Sequence, residues 1–472
     1  MLHGSPISGG VAVAIPGFRG RILTPGDRAY DDARSVWNGA IDRKPALIAR
    51  CIDRADIVAA VRHARERDLL VSVRGGGHGV AGHAVNDGGL VIDLGPMKRV
   101  RIDLQRRVVT VEPGVLWGEL DTMTQAFGLA TTGGIVSHTG VAGLTLGGGL
   151  GWLMRKYGTT CDNLMAADVV TADGRHVHVS AQDDAELLWG LRGGGGNFGI
   201  VSSFELALHE IGTTVLAGPI AWPMEDAPGV MRFFRDFARD APDELTAIVQ
   251  FRTLPPLPAF APEFHGRKAL QIGTVWAGRI ADGERALEPL RACGAPLFDL
   301  SAARPYLAQQ ASNDKAVPHG WHYYWKSAEV PELEDEAIDV LTERSLAMRS
   351  PRSFTVIFHL GGAIARIGED ACAYSHRSAR YNINVNAVWL PGESIGPEET
   401  AWARDLFERL TVRQHAVYVN FLMDEGRNRV REAYGAKKYE RLVSLKGRFD
   451  PDNVFRMNQN IAPRMPTDGE AR

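Results

Sequence analysis

The sequence predicts an α+β protein whose larger sheet is antiparallel and backed by helices, and three observations carry that expectation. Up to about residue 210, short β-rich runs are broken by glycine-dense stretches at Gly75–Gly79, within Thr131–Asn163 and at Gly193–Gly199. From about Ile211 the glycine runs stop, and longer apolar strands alternate with amphipathic helices. The chain has 472 residues, more than the roughly 250–300 that one hydrophobic core serves. The change of texture therefore reads as a boundary between residues 1–210 and a second unit over 211–415.

Taken in order, Ile52–Arg67 reads as a helix because Ile57, Val58, Val61 and Ala64 fall at helical spacing. A strand, Leu69–Val73, follows, then β-rich runs at Leu90–Leu94, Val100–Asp103 and Val108–Glu112, closed by Pro113-Gly114. Leu116, Leu120, Met123 and Phe127 form the apolar face of a helix that Gly128 ends. Thr131–Asn163 shows no clear period, and so long an irregular path inside a compact unit is usually functional. Strands at Asp168–Thr171 and His176–Val179 flank the turn Ala172-Asp173-Gly174, and a helix over Ala185–Leu191 is capped by Asp183 or Asp184.

In the second unit Val230, Phe233, Phe234 and Phe237 mark one helix face, followed by strands at Thr246–Leu254 and Leu270–Trp276. Helices at Gly283–Ala292 and Glu332–Met348, strands at Phe354–Leu360 and Tyr381–Leu390, and a helix over Glu398–Leu410 complete a pattern that suits a helix-backed antiparallel sheet. A strand over Ala416–Leu422 and a charged helical stretch, Arg427–Gly447, lead to PDNVFRMNQNIAP. Its aromatic and amide residues set it apart from a frayed tail.

Composition narrows the function. A hydrophobic content of 45%, a charged content of 23% and a net charge of −3 leave no basic excess for nucleic acid or an anionic membrane, so a small molecule is the expected partner. Cys51, Cys161, Cys293 and Cys372 form no C-x-x-C pair, which argues against a zinc site, any other metal centre and a disulfide framework. The start MLHGSPISGG lacks the features of a secretory signal, and no run of 18 apolar residues occurs. A cytoplasmic protein, monomer or homodimer, is the expectation.

The chemistry centres on LLVSVRGGGHGVAGHAVNDGGLVID, from Leu69 to Asp93, with His78 among glycines. Gly77, Gly79 and Gly82 fit the G-x-G-x-x-G spacing of dinucleotide folds. That fingerprint needs a helix opening on its last glycine, and Asn86-Asp87-Gly88-Gly89 followed directly by a strand leaves no room for one. The glycines instead read as a loop between two strands, offering backbone N–H groups to an anion without a helix dipole. Gly194, Gly196 and Gly199 repeat the spacing with the order reversed: helix, glycines, strand.

Taken together, VRGGGHGVAGHAVNDGGLVIDL, TGVAGLTLGGGLGWLMRKYG, GGGGNFGIVSSFEL and PDNVFRMNQNIAP resemble the berberine bridge enzyme-like FAD-linked oxidases of the vanillyl-alcohol oxidase superfamily. The resemblance spans nearly the whole chain, with four motifs in the family's order. It implies an FAD-binding domain of the vanillyl-alcohol oxidase type built from residues 1–210 and 416–472, with a substrate domain, 211–415, inserted between them.

By that resemblance His78 carries FAD covalently on the flavin's 8α carbon, while Arg74, Gly75, Gly76, Gly77 and Gly79 hold the pyrophosphate. Val136 stands where many members place a second, cysteine link, so attachment through His78 only is implied; Cys161 lies well beyond that position. Ser137, Thr139, Gly140, Gly143, Leu144, Asn197, Gly199, Ile200, Val201, Asn458 and Asn460 match the family's other cofactor-binding stretches. Thr139 occupies the position that governs dioxygen access, with Leu144 as the wall of that pocket. His138 is as well read as a structural histidine as a functional one.

On the substrate side Tyr418 and Asn420 match the family's Y-x-N strand, where alternation sets them on one face. A base role for Tyr418, whose phenol has an ordinary pKa near 10, requires a nearby cation, and Lys326 is the candidate. Trp152 and Tyr157 are candidates to line the flavin face; neither His359 nor Gln250 is assigned a role. The implied activity is an FAD-dependent oxidase that takes a hydride from an alcohol, amine or phenolic-type carbon onto flavin N5, with dioxygen reoxidising the flavin to give hydrogen peroxide. The alternatives are a flavin-N5-oxygenating monooxygenase of bacterial secondary metabolism and a non-catalytic flavin-binding protein.

Overall fold

A computed structural model describes residues 14–410 and 416–464. The expected features of the N-terminal decapeptide and the 211–415 limit fall on or beside residues outside that description. The N-terminal part contains a four-stranded mixed sheet in which Leu47–Arg50, Leu90–Asp93 and Val71–Arg74 run parallel and Arg21–Leu23 joins antiparallel at the edge. Beside it lies a five-stranded antiparallel sheet ordered Val100–Asp103, Val108–Val111, Ile200–Ala207, Leu164–Val170, His176–Ser180. The helix Arg54–Glu66 is capped by the Asp53 carboxylate, which accepts from the Asp56 N–H, and its buried Ile57, Val61 and Ala64 join the core of the mixed sheet. Asp184, not Asp183, caps the helix Ala185–Leu191.

Between the parallel strands Val71–Arg74 and Leu90–Asp93 the chain crosses as a loop with no helix, so the dinucleotide fingerprint fails for the reason the glycine spacing indicated. The stretch Thr131–Asn163 is less irregular than its composition suggests. It contains the helices Val141–Gly147 and Met154–Tyr157 and a 3-10 turn at Thr160–Asn163; glycines inside the first of these hide the helical period.

The large sheet is antiparallel throughout. Its order is Phe298–Asp299, Thr214–Pro223, Lys268–Trp276, Leu245–Thr253, Phe354–His359, Tyr381–Trp389, His322–Val330, with Ala302–Pro305 also pairing with Thr214–Pro223. Val249, Phe251, Ile383 and Val385 point to one face. There they pack on Met231 and Phe234 of the helix Ala227–Arg239, Leu341 of the helix Asp335–Leu346 and Leu406 of the helix Gly396–Leu410. Alternation sends Gln250, Arg252, Asn384 and Asn386 to the opposite face, toward the N-terminal part.

The stretch after residue 415 corrects one expectation. Ala416–Leu422 is not a strand; it holds a 3-10 turn at Val419–Phe421, and Glu329 N–H donates to Ala416 O at 3.0 Å without a ladder following from it. The following helix, Arg427–Phe449, is broken at Gly435, where φ is 70°. Lys446 then ties this end to the glycine clusters: its buried ammonium donates to Asp450 Oδ2 at 2.6 Å, to Asn197 O at 2.9 Å and to Phe455 O at 3.0 Å.

Candidate active site

A cavity of about 380 Å³ lies between the glycine clusters and the open face of the large sheet. Its first wall is backbone. Gly75, Gly76, Gly77, His78 and Gly79 line it, as do Gly140, Gly143, Gly196 and Gly199. The glycines serve two different ends. Gly76 and Gly140 cross so closely that a Cβ on either would lie 2.6 Å from the other's backbone. A Cβ on Gly79, Gly143 or Gly196, by contrast, would meet no protein atom within 4 Å. The first pair joins two loops; the second group is a cradle open toward whatever fills the cavity.

His78 stacks on the buried Trp37 with ring centroids 4.4 Å apart, and its Nε2 lies 3.1 Å from His138 Nδ1. His319 stands 4.9 Å from the His138 ring. Burial, reinforced by the neighbouring His138 and His319, holds His78 well below the ordinary imidazole range, so it is neutral at pH 7. A neutral imidazole has one ring nitrogen with a free lone pair, and the contact with His138 at Nε2 decides which one faces elsewhere.

Most of the residues that the motifs single out meet here. Val136, Thr139, Leu144, Asn197, Ile200, Val201 and Asn458 line the same cavity as His78 and the glycines. Asn197 joins the chain's two ends. Its Nδ2 donates to Gly194 O and, at 3.2 Å, to Gln459 O, while its Oδ1 accepts from Ile461 N–H at 3.0 Å. Asn458 Oδ1 is buried beside the cavity without a donor. A cradle of open glycines, a neutral histidine and an unpartnered amide oxygen fit a phosphate-bearing flavin cofactor.

Several candidates sit elsewhere. Arg74 does not line the cavity; its guanidinium pairs with the buried Asp93 at 2.8 Å and with the carbonyl of Ala33, fastening the strand that feeds the loop. Ser137 turns away to Asp314, donating from its N–H at 2.8 Å and its hydroxyl at 2.5 Å. Asn460 lies outside the lining, with its Oδ1 buried and unpartnered.

The base assignment is corrected. Tyr418 is buried and is not among the lining residues, and its hydroxyl oxygen already accepts from Gly149 N–H at 2.6 Å and Asn420 Nδ2 at 2.7 Å. Burial raises its phenol above the ordinary value while the two donated hydrogen bonds pull it down, and the hydroxyl is held at the turn behind the cavity wall. Lys326 cannot assist it. Lys326 follows Trp325 on the strand and so faces the opposite side of the sheet, where it meets Glu425 at 2.6 Å and the Phe407 ring. Asn420 does line the cavity, and its Nδ2 also donates to Leu144 O at 3.1 Å.

Of the aromatic candidates, Trp152 packs against Gly273 and Tyr157 stacks on His209 at 4.0 Å, neither on the cavity. Cys161 is buried with Asp162 and Cys372 in a separate cluster, where Arg377 pairs with Asp162 at 2.5 Å.

The sheet supplies residues that motif reading passes over. Gln250, Arg252, Trp325, Phe354, Val356, Phe358, Asn384 and Asn386 line the second wall. The alternation was visible in Tyr381–Trp389, where Asn382, Asn384 and Asn386 recur at every second position. Three amides on one face of a strand whose other face is apolar mark a polar surface, not a packed one.

Comparisons with known proteins agree with this geometry. Residues 45–180 match the FAD binding domain family, and residues 417–462 match the berberine and berberine-like family. The chain is 30% identical to (R)-6-hydroxynicotine oxidase of Paenarthrobacter nicotinovorans, over 94% of this chain and 97% of that protein. It is 29% identical to an FAD-linked oxidoreductase of Dictyostelium discoideum, over 94% and 95%. The crystal structure of 6-hydroxy-D-nicotine oxidase from Arthrobacter nicotinovorans superposes with a TM-score of 0.87 at 28% identity, covering 96% of this chain and all of that one. With matching motifs, fold and cradle, the chain belongs to the berberine bridge enzyme-like family of the vanillyl-alcohol oxidase superfamily and is an FAD-linked oxidoreductase.

Proposed function

We propose that this enzyme is an oxidase of small organic molecules that holds FAD through one covalent bond, at His78. The observation that carries the reading is the neutral His78 ring on the wall of a cavity whose remaining glycine positions are open. FAD, when bound, supplies a hydride acceptor at N5 that dioxygen reoxidises with release of hydrogen peroxide. In this reading residues 1–210 and 416–472 serve the cofactor and 211–415 serve the substrate.

The residues divide the work. Trp37 fixes the plane of the His78 ring by stacking, and His138 fixes its rotation through the 3.1 Å contact at Nε2. Gly75–Gly79, Gly140 and Gly196 would hold the pyrophosphate with backbone N–H groups. Val136 offers no nucleophile, which supports a single link. Thr139 and Leu144 lie together on the cavity wall, and a threonine there leaves room for dioxygen.

The test reduces the bound flavin with light under argon and then admits air. An oxidase returns to the oxidised spectrum with one hydrogen peroxide per flavin. Peroxide well below that ratio favours the monooxygenase instead; a flavin that cannot be cycled means no redox enzyme.

A further inference from the structure

The cavity-facing side of the large sheet carries two transverse rows set by strand register. Trp325, Asn386, Phe354 and Arg252 stand opposite one another in the first; Ser327, Asn384, Val356, Gln250 and Gln271 do so in the second. One group in these rows is out of balance. Arg252 Nη1 donates to Gln250 Oε1 at 2.9 Å and its Nε to Thr253 O at 3.4 Å, yet among the described residues its guanidinium meets no carboxylate. No aspartate or glutamate lines the cavity. At the other end of the first row, three strand spacings away, the indole N–H of Trp325 is buried without an acceptor. Burial lowers Arg252 to about 10, so it remains charged at neutral pH.

A guanidinium left without a counter-charge in a partly buried site is costly, and proteins seldom keep one so. Its planar fork matches the two oxygens of a carboxylate, or a delocalised oxyanion, better than it matches a neutral group. The glycine cradle beside His78 already answers the phosphates, whereas Arg252 stands on the sheet. Phe354, Phe358 and Phe421 surround the remaining space with flat apolar area. The lining on this wall has no carboxylate, tyrosine or lysine base, and a substrate whose enol or phenol oxygen arrives ionised has less need of one.

We propose that the substrates are organic anions, each an aromatic or conjugated body bearing a carboxylate or an ionised enol or phenol oxygen, with Arg252 binding the charge and the three phenylalanines packing the body. This names the substrate class of the oxidase reading and rests on it.

The test titrates the holoenzyme calorimetrically with benzoate, 4-nitrophenolate and the neutral benzamide. At least one anion is expected to bind wild type about ten-fold or more tighter than benzamide. Benzoate or nitrophenolate as the favoured ligand separates the carboxylate from the phenolate source. Arg252→Gln is expected to erase that preference while benzamide binding stays within about two-fold, and Arg252→Lys to keep part of it. Anions that bind wild type no better than benzamide overturn the proposal, and this arm needs no variant. A preference that survives Arg252→Gln also overturns it, as does loss of FAD retention in that variant with the preference unchanged, which would give the guanidinium to the cofactor. A sample whose flavin air cannot reoxidise fails the oxidase reading instead, and the calorimetric preference is scored independently of it.

Discussion

The two walls of the cavity are made of opposite materials. The glycine wall presents backbone: Gly79, Gly143 and Gly196 leave open space where side chains would be, and the loop between Arg74 and Leu90 projects two imidazoles, His78 and His83. The sheet wall presents side chains: amides, an indole, phenylalanines and one guanidinium, set at alternate positions on strands whose other faces are core. A cofactor common to a family is met by main chain that every sequence possesses, provided glycine lets it approach. A particular substrate is met by side chains that can change without disturbing the fold. If that division is right, the walls should fail in different ways.

The largest separation is expected within the glycine wall itself. Gly140→Ala drives a Cβ to 2.6 Å from the backbone of Gly76, where neither loop can yield cheaply. It should destabilise the apoprotein by about 1–3 kcal/mol or more and lose FAD as a consequence. Gly143→Ala meets nothing in the protein and lies inside the helix Val141–Gly147. It should leave the apoprotein as stable or raise it by roughly 0.5–1 kcal/mol, yet weaken FAD retention. Thermal melts of both apoproteins, paired with flavin content, check this; equal behaviour of the two would erase the distinction between crossing and cradle glycines.

Next in size is Asn197→Ala, which removes the amide that bridges the glycine cluster to Gln459 and Ile461. The expected cost is about 1–3 kcal/mol from buried groups left unpaired, with increased proteolysis after residue 450 as the readout. On the other wall, Trp325→Phe deletes one N–H and shrinks the indole to a phenyl ring. With the N–H and part of the wall's apolar area gone, KM should rise several-fold with unchanged flavin content, and a fall in flavin content would move Trp325 to the cofactor side.

The smallest effect is in the pH dependence of stability, where buried groups behind the two walls carry opposite signs. Burial depresses His78, His138 and His319 below the ordinary 6.5. The unfolded chain therefore binds more protons, and this contribution is lost as pH falls from about 6.5 through the folded values. On the sheet strand His322–Val330, burial pushes the Glu329 carboxyl up to about 8 from 4.5. The folded state binds the extra proton there, so stability falls as pH rises between those values. Denaturation midpoints against pH should flatten above pH 6 in Glu329→Gln and below pH 6 in His138→Gln.

The same division explains what was legible in the sequence. Helix and strand positions were readable wherever one face is apolar: Val100–Asp103 and Ala185–Leu191 stand where periodicity sets them. Thr214–Pro223 and His322–Val330 passed unrecognised, because both faces of the first are largely buried and the second mixes aromatic with charged residues, so neither alternates cleanly. His78 and the glycines were legible because backbone access imposes residue type. Arg252, Asn384 and Asn386 carry no such constraint; their meeting depends on strand register, which local pattern does not specify. Nor does local pattern show that Lys326 faces the helix side of its strand, at Glu425, while Tyr418 sits off the sheet at the turn by Gly149.

The central claim, that a neutral His78 held by Trp37 and His138 anchors the cofactor, is tested most directly by proteolysis and mass spectrometry of acid-precipitated holoenzyme. The account predicts one FAD on the peptide containing His78, none on the peptide containing Cys161, and none anywhere in His78→Ala. Flavin released into the acid supernatant of the wild type, or retained on another peptide, would contradict it.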